Sequence, residues 1–135
     1  MIRHVAGIAE VVDDLEAAVS FYRDHLGLEV DDSASADYAS VKIPGVVHFG
    51  LWGREAAAEA TFGDRGAVDR VALGLTIEFE VDEVPAAFQA LESRGVKLLH
   101  GPKTEPWGQT TARFALPSGA LCGIAETPWA RRIDD

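Results

Sequence analysis

Five side chains carry most of the chemistry open to this chain: His48, Trp52, Glu78, Glu80 and Trp107. Glu78 and Glu80 alternate along the run 73–81, so a strand there projects both to one face. Exposed, such a pair is a solvated face; buried, it needs a cation or a raised pKa. His48 and Trp52 share a face by the same parity on the run 46–52. Trp107 falls in a loop of turn formers over residues 101–108, where exposure suits stacking on a ligand. His25, near a predicted helix C-terminus, complements the helix dipole. No Gly-rich phosphate loop, Gly-x-Ser-x-Gly elbow, paired-cysteine zinc pattern or His-Glu-x-x-His helix occurs, so hydrolase and nucleotide chemistry have no local support.

The elements that must position these groups come from a repeat. Residues 13–27 predict a helix: Asp13 followed by Glu16 suggests a capping box, and Leu15, Ala18, Val19, Tyr22 and Leu26 form an apolar stripe. Gly27 supplies the left-handed closing residue. Residues 81–95 repeat the unit: Asp82 falls on Asp13, Val84 on Leu15, Ala87 on Ala18, Phe88 on Val19 and Leu91 on Tyr22. Gly95 matches Gly27 with one residue deleted. Self-similarity at half the chain length implies two like modules. Strands are expected over 2–12, 28–32, 37–43 and 46–52, then over 73–81, 96–100, 110–116 and 120–126, the last two as a hairpin across Pro117, Ser118 and Gly119. Residues 54–60 favour a short helix by propensity. The fold class is therefore α+β, with two βαβββ modules: module 1 about 1–53, a linker about 54–69, module 2 about 70–127 and a short tail ordered by Trp129 or frayed.

The chain has 135 residues and a formal net charge of −10, with 47% hydrophobic residues. That size suits one domain or two small modules sharing a core. The acidity argues against nucleic acid, which binds through cationic neutralisation of phosphate, and suits a cationic or neutral small molecule. No apolar run reaches the length of a membrane helix. The single cysteine, Cys122, and a start that enters a strand directly fit a reducing cytoplasm.

The paired modules, the helix end Phe21-Tyr22-Arg23-Asp24-His25-Leu26-Gly27, and Glu105-Pro106-Trp107-Gly108-Gln109 with Arg113, Phe114, Pro117, Ser118 and Gly119 together resemble the vicinal oxygen chelate superfamily. This is the group of glyoxalase I, bleomycin-resistance proteins and extradiol dioxygenases. The resemblance covers almost the whole chain. It implies curved mixed sheets forming a cleft, and a homodimer with clefts at the subunit interface. Metal-dependent members place one ligand on each of four strands; here those positions fall on Gly7, Gly50, Thr76 and Gly123, which implies that no metal or other cofactor is bound in the usual way. The family's Asp-Pro-Asp-Gly hairpin reads Leu116-Pro117-Ser118-Gly119.

Strand parity relative to those positions puts Val5, Ala9 and Val11 on the cleft face of the first strand, with His48 and Trp52, then Glu78 and Glu80, then Leu121 and Ala125 on the others. Small residues at the ligand positions are expected to leave room. His4 and Glu10 point away, unless a bulge returns Glu10 to the cleft. The expected function is a metal-free protein that sequesters a small aromatic or cationic compound in a dimer-interface cleft, as bleomycin-resistance members do, by stacking on Trp52 and Trp107 with Glu78 and Glu80 offsetting positive charge. The alternative is a lyase, isomerase or dioxygenase, using acid–base groups or a metal held by His48, Glu78 and Glu80.

Overall fold

In the computed structural model, which describes residues 1–129, the repeat is realised as two βαβββ modules. The first comprises β1 (Ile2–Val12), α1 (Leu15–Ser20), β2 (Glu29–Asp31), β3 (Tyr38–Lys42) and β4 (Phe49–Gly53). The second comprises β5 (Gly74–Val81), α3 (Val84–Ser93), β6 (Leu98–Thr104), β7 (Thr110–Ala115) and β8 (Leu121–Glu126). Between them lie α2 (Arg54–Phe62) and a 3-10 turn (Ala67–Arg70). The chain forms two compact units, Gly7–Thr76 and a second made of Met1–Ala6 with the chain from Ile77 onward. Among the described residues no helix is long and apolar enough to cross a membrane.

Each module's sheet is mixed, with the same connectivity. In the first, β2 pairs β3 and β3 pairs β4 antiparallel, while β4 pairs β1 parallel. In the second, β6 pairs β7 and β7 pairs β8 antiparallel, and β8 pairs β5 parallel. A helix covers one face of each. On the first, Val19 with Leu15, Ala18 and Tyr22 packs on Val30, Ala39, Val41 and Leu51. On the second, Val84 and Ala87 with Phe88 and Leu91 pack on Val81, Ala112 and Ile124. The four helix positions matched in the sequence repeat are thus the four that bury on each sheet. Apolar residues at that spacing form one stripe, and burying it drives the docking.

The unmatched residue before Gly27 also has a place. Phe21–His25 is a π-helical turn in which Leu26 N–H donates to Phe21 O at 3.2 Å. A π turn absorbs one inserted residue without ending the helix, so Gly27 closes α1 at φ 70° as Gly95 closes α3 at φ 82°. The N-termini depart from expectation. Asp14, not Asp13, caps α1, accepting from Ala17 N–H at 3.0 Å. Glu83 at the α3 cap makes no side-chain bond; Glu126 of β8 reaches over instead and accepts from Val84 N–H at 2.9 Å. Residues 101–104, expected in a loop, extend β6, and the linker helix runs on to Phe62. Of the tail, residues 130–135 lie outside the described residues.

Candidate binding site

The helix-free face of the second module concentrates its polar side chains. Strand registers set them in two rows. Glu78 pairs Gly123, and Gly123 pairs Arg113, which in turn pairs His100. Next to it, Glu80 pairs Ala125, Ala125 pairs Thr111, and Thr111 pairs Lys103. Register shifts on β6 around His100 bring His100 and Lys103 into these rows. The floor residues Gly123 and Ala125 are the smallest available, so side chains from either flank can meet above them.

They do so through buried and part-buried hydrogen bonds. Gln109 is fully used: its amide nitrogen donates to Glu78 Oε1 at 2.8 Å and to Thr127 Oγ1 at 2.7 Å, and its oxygen accepts from Trp107 Nε1 at 2.6 Å. Thr127 N–H then donates to Glu80 Oε2 at 2.8 Å. Trp107, Glu78 and Glu80, three of the five residues marked by the sequence, therefore belong to one hydrogen-bonded chain. Beside it, Glu105 Oε1 accepts from Arg113 Nη1 at 3.0 Å and from Thr111 Oγ1 at 2.8 Å. Arg113 Nη1 also lies 3.0 Å from His100 Nε2. Glu80, Glu105, Gln109, Thr111 and Arg113 are all buried, so Glu80 is no solvated-face residue.

Three carboxylates gather around one buried guanidinium. Arg113 is committed to Glu105 at short range. Glu78 is held above the usual carboxylate range, first by desolvation; the Gln109 bond and the charge of Arg113 oppose the rise, and Glu80 and Glu105 add to it. Burial likewise depresses His100, with help from Arg113 and Lys103, so its ring is neutral near pH 7. Cys122, enclosed beneath Glu78, is pushed up to about 12 and is inert as a thiol. Glu78 Oε2 lies 3.1 Å from where a Cβ at Gly123 would stand. Trp107 itself is 47% exposed, with its N–H edge fixed by Gln109. A tight turn places it: Glu105 N–H donates to Gln109 O at 2.7 Å and Gly108 takes φ 101°, a conformation glycine adopts without steric cost.

His48 and Trp52 occupy the first module. His48 sits just ahead of β4, where its carbonyl accepts from Ile8 N–H at 3.0 Å. Its ring lies nearly parallel to that of Tyr38, centroids 5.8 Å apart, and its Nε2 is hydrogen-bonded to the Tyr38 hydroxyl. Burial lowers its pKa. Trp52 pairs Val11 and Tyr38 in register and is half-buried. Glu10 lies on the helix side, where it accepts from the Tyr22 hydroxyl at 2.6 Å. Desolvation, then Glu10, raises Tyr22 to about 12. No bulge returns Glu10 to the opposite face; its place in the repeat is that of Phe79, and Tyr22 supplies the hydrogen bond a carboxylate there requires.

The glycines do not leave vacant space. A Cβ at Gly50 would overlap the Tyr38 hydroxyl and ring, with Tyr38 Cε2 at 2.9 Å, and one at Gly123 would press on Glu78. The four positions that the family resemblance gives to metal ligands thus hold no imidazole or carboxylate of their own, and two are covered by neighbouring side chains. Among the described residues no three His, Cys, Asp or Glu side chains are placed to hold a metal ion. These residues do not fit the family's metal centre. Sequence reasoning missed Gln109, Thr127, His100 and Tyr38 as site residues; Glu105, Gln109 and Arg113 lay in the motif that carried the resemblance, without a role assigned.

Comparison with known proteins agrees with this architecture. The chain is similar to a glyoxalase/bleomycin resistance protein/dioxygenase superfamily member from Vibrio splendidus 12B01, at 19% identity and a TM-score of 0.63, covering 94% of this chain and 100% of that one. It is similar to methylmalonyl-CoA epimerase from Mycobacterium tuberculosis, at 20% identity and a TM-score of 0.65, covering 96% and 92%. It also resembles the Streptomyces coelicolor methylmalonyl-CoA epimerase in complex with 2-nitronate-propionyl-CoA, at 20% identity and a TM-score of 0.62, covering 93% and 97%. At these identities the likeness establishes the fold. No curated protein matches the chain in sequence. The family model for the Glyoxalase/Bleomycin resistance protein/Dioxygenase superfamily matches residues 2–124, and the chain belongs to that superfamily.

Proposed function

We propose that this chain is a small-molecule-binding member of its superfamily that works without the family's metal, and that the helix-free face of the second module makes the main polar contact. The observation that carries the reading is Glu78. It is a carboxyl held up in pKa by desolvation, fixed through one oxygen by Gln109, with its other oxygen over the Gly123 floor and an indole at the end of the same hydrogen-bonded chain. A planar organic cation satisfies both features: its charge offsets Glu78, and its ring stacks on Trp107. Sequestration of such a compound, an antibiotic among the candidates, is the role this arrangement serves in our reading. The binding cleft is completed by a second copy of the chain in a homodimer, and the protein acts in the cytoplasm with neither nucleic acid nor membrane as partner. Family resemblance supports the dimer, and the acidic charge supports the absence of nucleic acid.

The test is calorimetry of the purified chain with proflavine and berberine, each against a neutral compound of similar shape, together with sedimentation to read the oligomer. Saturable micromolar binding that Trp107→Ala abolishes and Glu78→Gln weakens is expected; Trp52→Ala measures the first module's contribution separately. Affinity unchanged by all three substitutions overturns the reading.

A second reading rests on the same carboxyl. A carboxyl whose pKa is moved toward neutrality is a competent proton carrier, and the likeness to proteins named epimerases favours a lyase or isomerase chemistry run by Glu78. Such an enzyme would exchange solvent deuterium into a C–H-acidic carbonyl compound, and Glu78→Gln would stop it. Binding without exchange leaves sequestration.

A further inference from the structure

The first module carries a reactive-group pair that the proposed function does not use. Tyr38 reaches from β3 across Gly50, the only residue type that admits its ring there, and its hydroxyl meets His48 Nε2. The two rings lie nearly parallel, 9° apart, with the hydrogen bond joining their edges. His48 also borders an open groove of about 550 Å³ with Glu29, Ser40, Lys42, Val46 and Phe49. Both residues are half-buried.

We infer that Tyr38 and His48 form a base-activated phenol, a second reactive site whose partner is an electrophilic carbonyl compound. The neutral imidazole accepts the phenol proton while the Tyr38 oxygen bonds to the carbonyl carbon. With an acyl donor, the tetrahedral adduct expels the leaving group, and His48 passes the same proton to it. The net change is an acyl group moved to Tyr38 and a protonated leaving group released, with no oxidant, reductant or metal involved. Burial supports the neutral ring, since desolvation holds His48 below its ordinary value. The same module supplies an internal comparison. The chain has two tyrosines, and the other, Tyr22, is also half-buried but donates to the Glu10 carboxylate, a far weaker base than imidazole.

The experiment uses the full chain and N-acetylimidazole as the acyl donor, with acetylation of each tyrosine followed over time by mass spectrometry of peptides. Base assistance predicts that Tyr38 is acetylated at least about tenfold faster than Tyr22. His48→Gln, which keeps a hydrogen-bonding side chain but takes no proton, should erase most of that advantage while leaving Tyr22 unchanged. Equal rates at the two tyrosines in the unmodified protein overturn the inference. So does an advantage that persists in His48→Gln. Equal wild-type rates overturn the inference even should His48→Gln fail to fold, a failure that faster Tyr22 acetylation would reveal, and His48→Asn then serves as the second variant.

Discussion

Matching rows of the two modules hold opposite chemistry on the same backbone. In the first module one row runs Ala9, Gly50, Ser40 and the next Val11, Trp52, Tyr38. In the second, the corresponding rows run Glu78, Gly123, Arg113 and Glu80, Ala125, Thr111. Each row has its central residue on the last strand of its module, and in each module one central residue is a glycine crossed by a neighbour's side chain. An aromatic hydroxyl crosses it in the first, and a carboxylate in the second. The repeat keeps the face buried under the helix, where burial of an apolar stripe dictates residue type, and leaves the other face free to differ. One is an aromatic surface with a single imidazole–phenol pair, the other a buried network of three carboxylates and one arginine.

Of the two faces, the second should break hardest. Glu105→Ala leaves the buried guanidinium of Arg113 without its carboxylate, and removal of one member of a buried ion pair costs about 3–5 kcal/mol. Replacing Glu105 and Arg113 together by Met should restore part of that stability, since the ion pair is then removed whole, while Glu78 loses the charge of Arg113 that opposes its raised pKa. Urea denaturation of the parent and both variants measures the two effects. A loss below about 1 kcal/mol for Glu105→Ala would show that water, not protein, solvates Arg113.

On the first face the largest effect comes from adding an atom. Gly50→Ala puts a Cβ into the Tyr38 side chain, and overpacking of that kind costs about 1–3 kcal/mol. It should also separate Tyr38 from His48, so that the near-parallel ring arrangement is lost, which shows as a changed near-ultraviolet circular dichroism signal. Pairing Gly50→Ala with Tyr38→Ala should recover part of the loss, and a failure to do so would mean Tyr38 is not the obstacle.

The same asymmetry explains what the sequence made legible. Helix stripes, caps and strand alternation answer to local rules, so the two modules and the buried helix positions from Leu15 to Tyr22 and from Val84 to Leu91 could be read directly. The cap was misplaced by one residue because Asp13 and Asp14 are equally good acceptors, and only backbone dihedrals choose between them. Parity alone placed Glu78 and Glu80 together, but their burial was invisible. It depends on Gln109 just before β7, Thr127 just after β8 and Arg113 on β7, and on small floor residues whose meaning emerges only once the register is known. Glycines expected to mark empty ligand positions proved to be covered, because a side chain on a neighbouring strand can lean over a residue that has none.

A smaller, pH-dependent effect separates the faces again. Glu78 has its folded pKa raised above the ordinary 4.5. Between 4.5 and that raised value the unfolded chain has ionised and the folded one has not. This group's contribution to stability is therefore full below 4.5 and falls as pH rises through the window. Glu78→Gln removes the contribution. The variant should gain stability relative to the parent as pH increases from 4.5, then hold a constant difference once Glu78 has ionised in the folded chain. Thermal melts at a series of pH values check this; a difference flat across the whole range would place Glu78 in water.

The mildest comparison uses glycines alone. A Cβ at Gly7 would meet His48 atoms at 3.5–3.7 Å, ordinary contact distances, whereas one at Gly123 would meet Glu78 Oε2 at 3.1 Å and Cγ at 3.2 Å. Gly7→Ala should therefore be neutral or stabilising by about 0.4–1 kcal/mol, through the lower entropy of the unfolded chain. Gly123→Ala gains the same entropy but must push Glu78 aside. Because the tight contacts are to a flexible side chain rather than to backbone, the cost is a displaced carboxyl more than a strained sheet. The diagnostic is the Gln109–Glu78 bond: the Gln109 side-chain amide signals in an NMR spectrum should shift in Gly123→Ala and stay in place in Gly7→Ala. If they are unmoved in both, Glu78 does not lie over Gly123, and the second face loses the feature that sets it apart from the first.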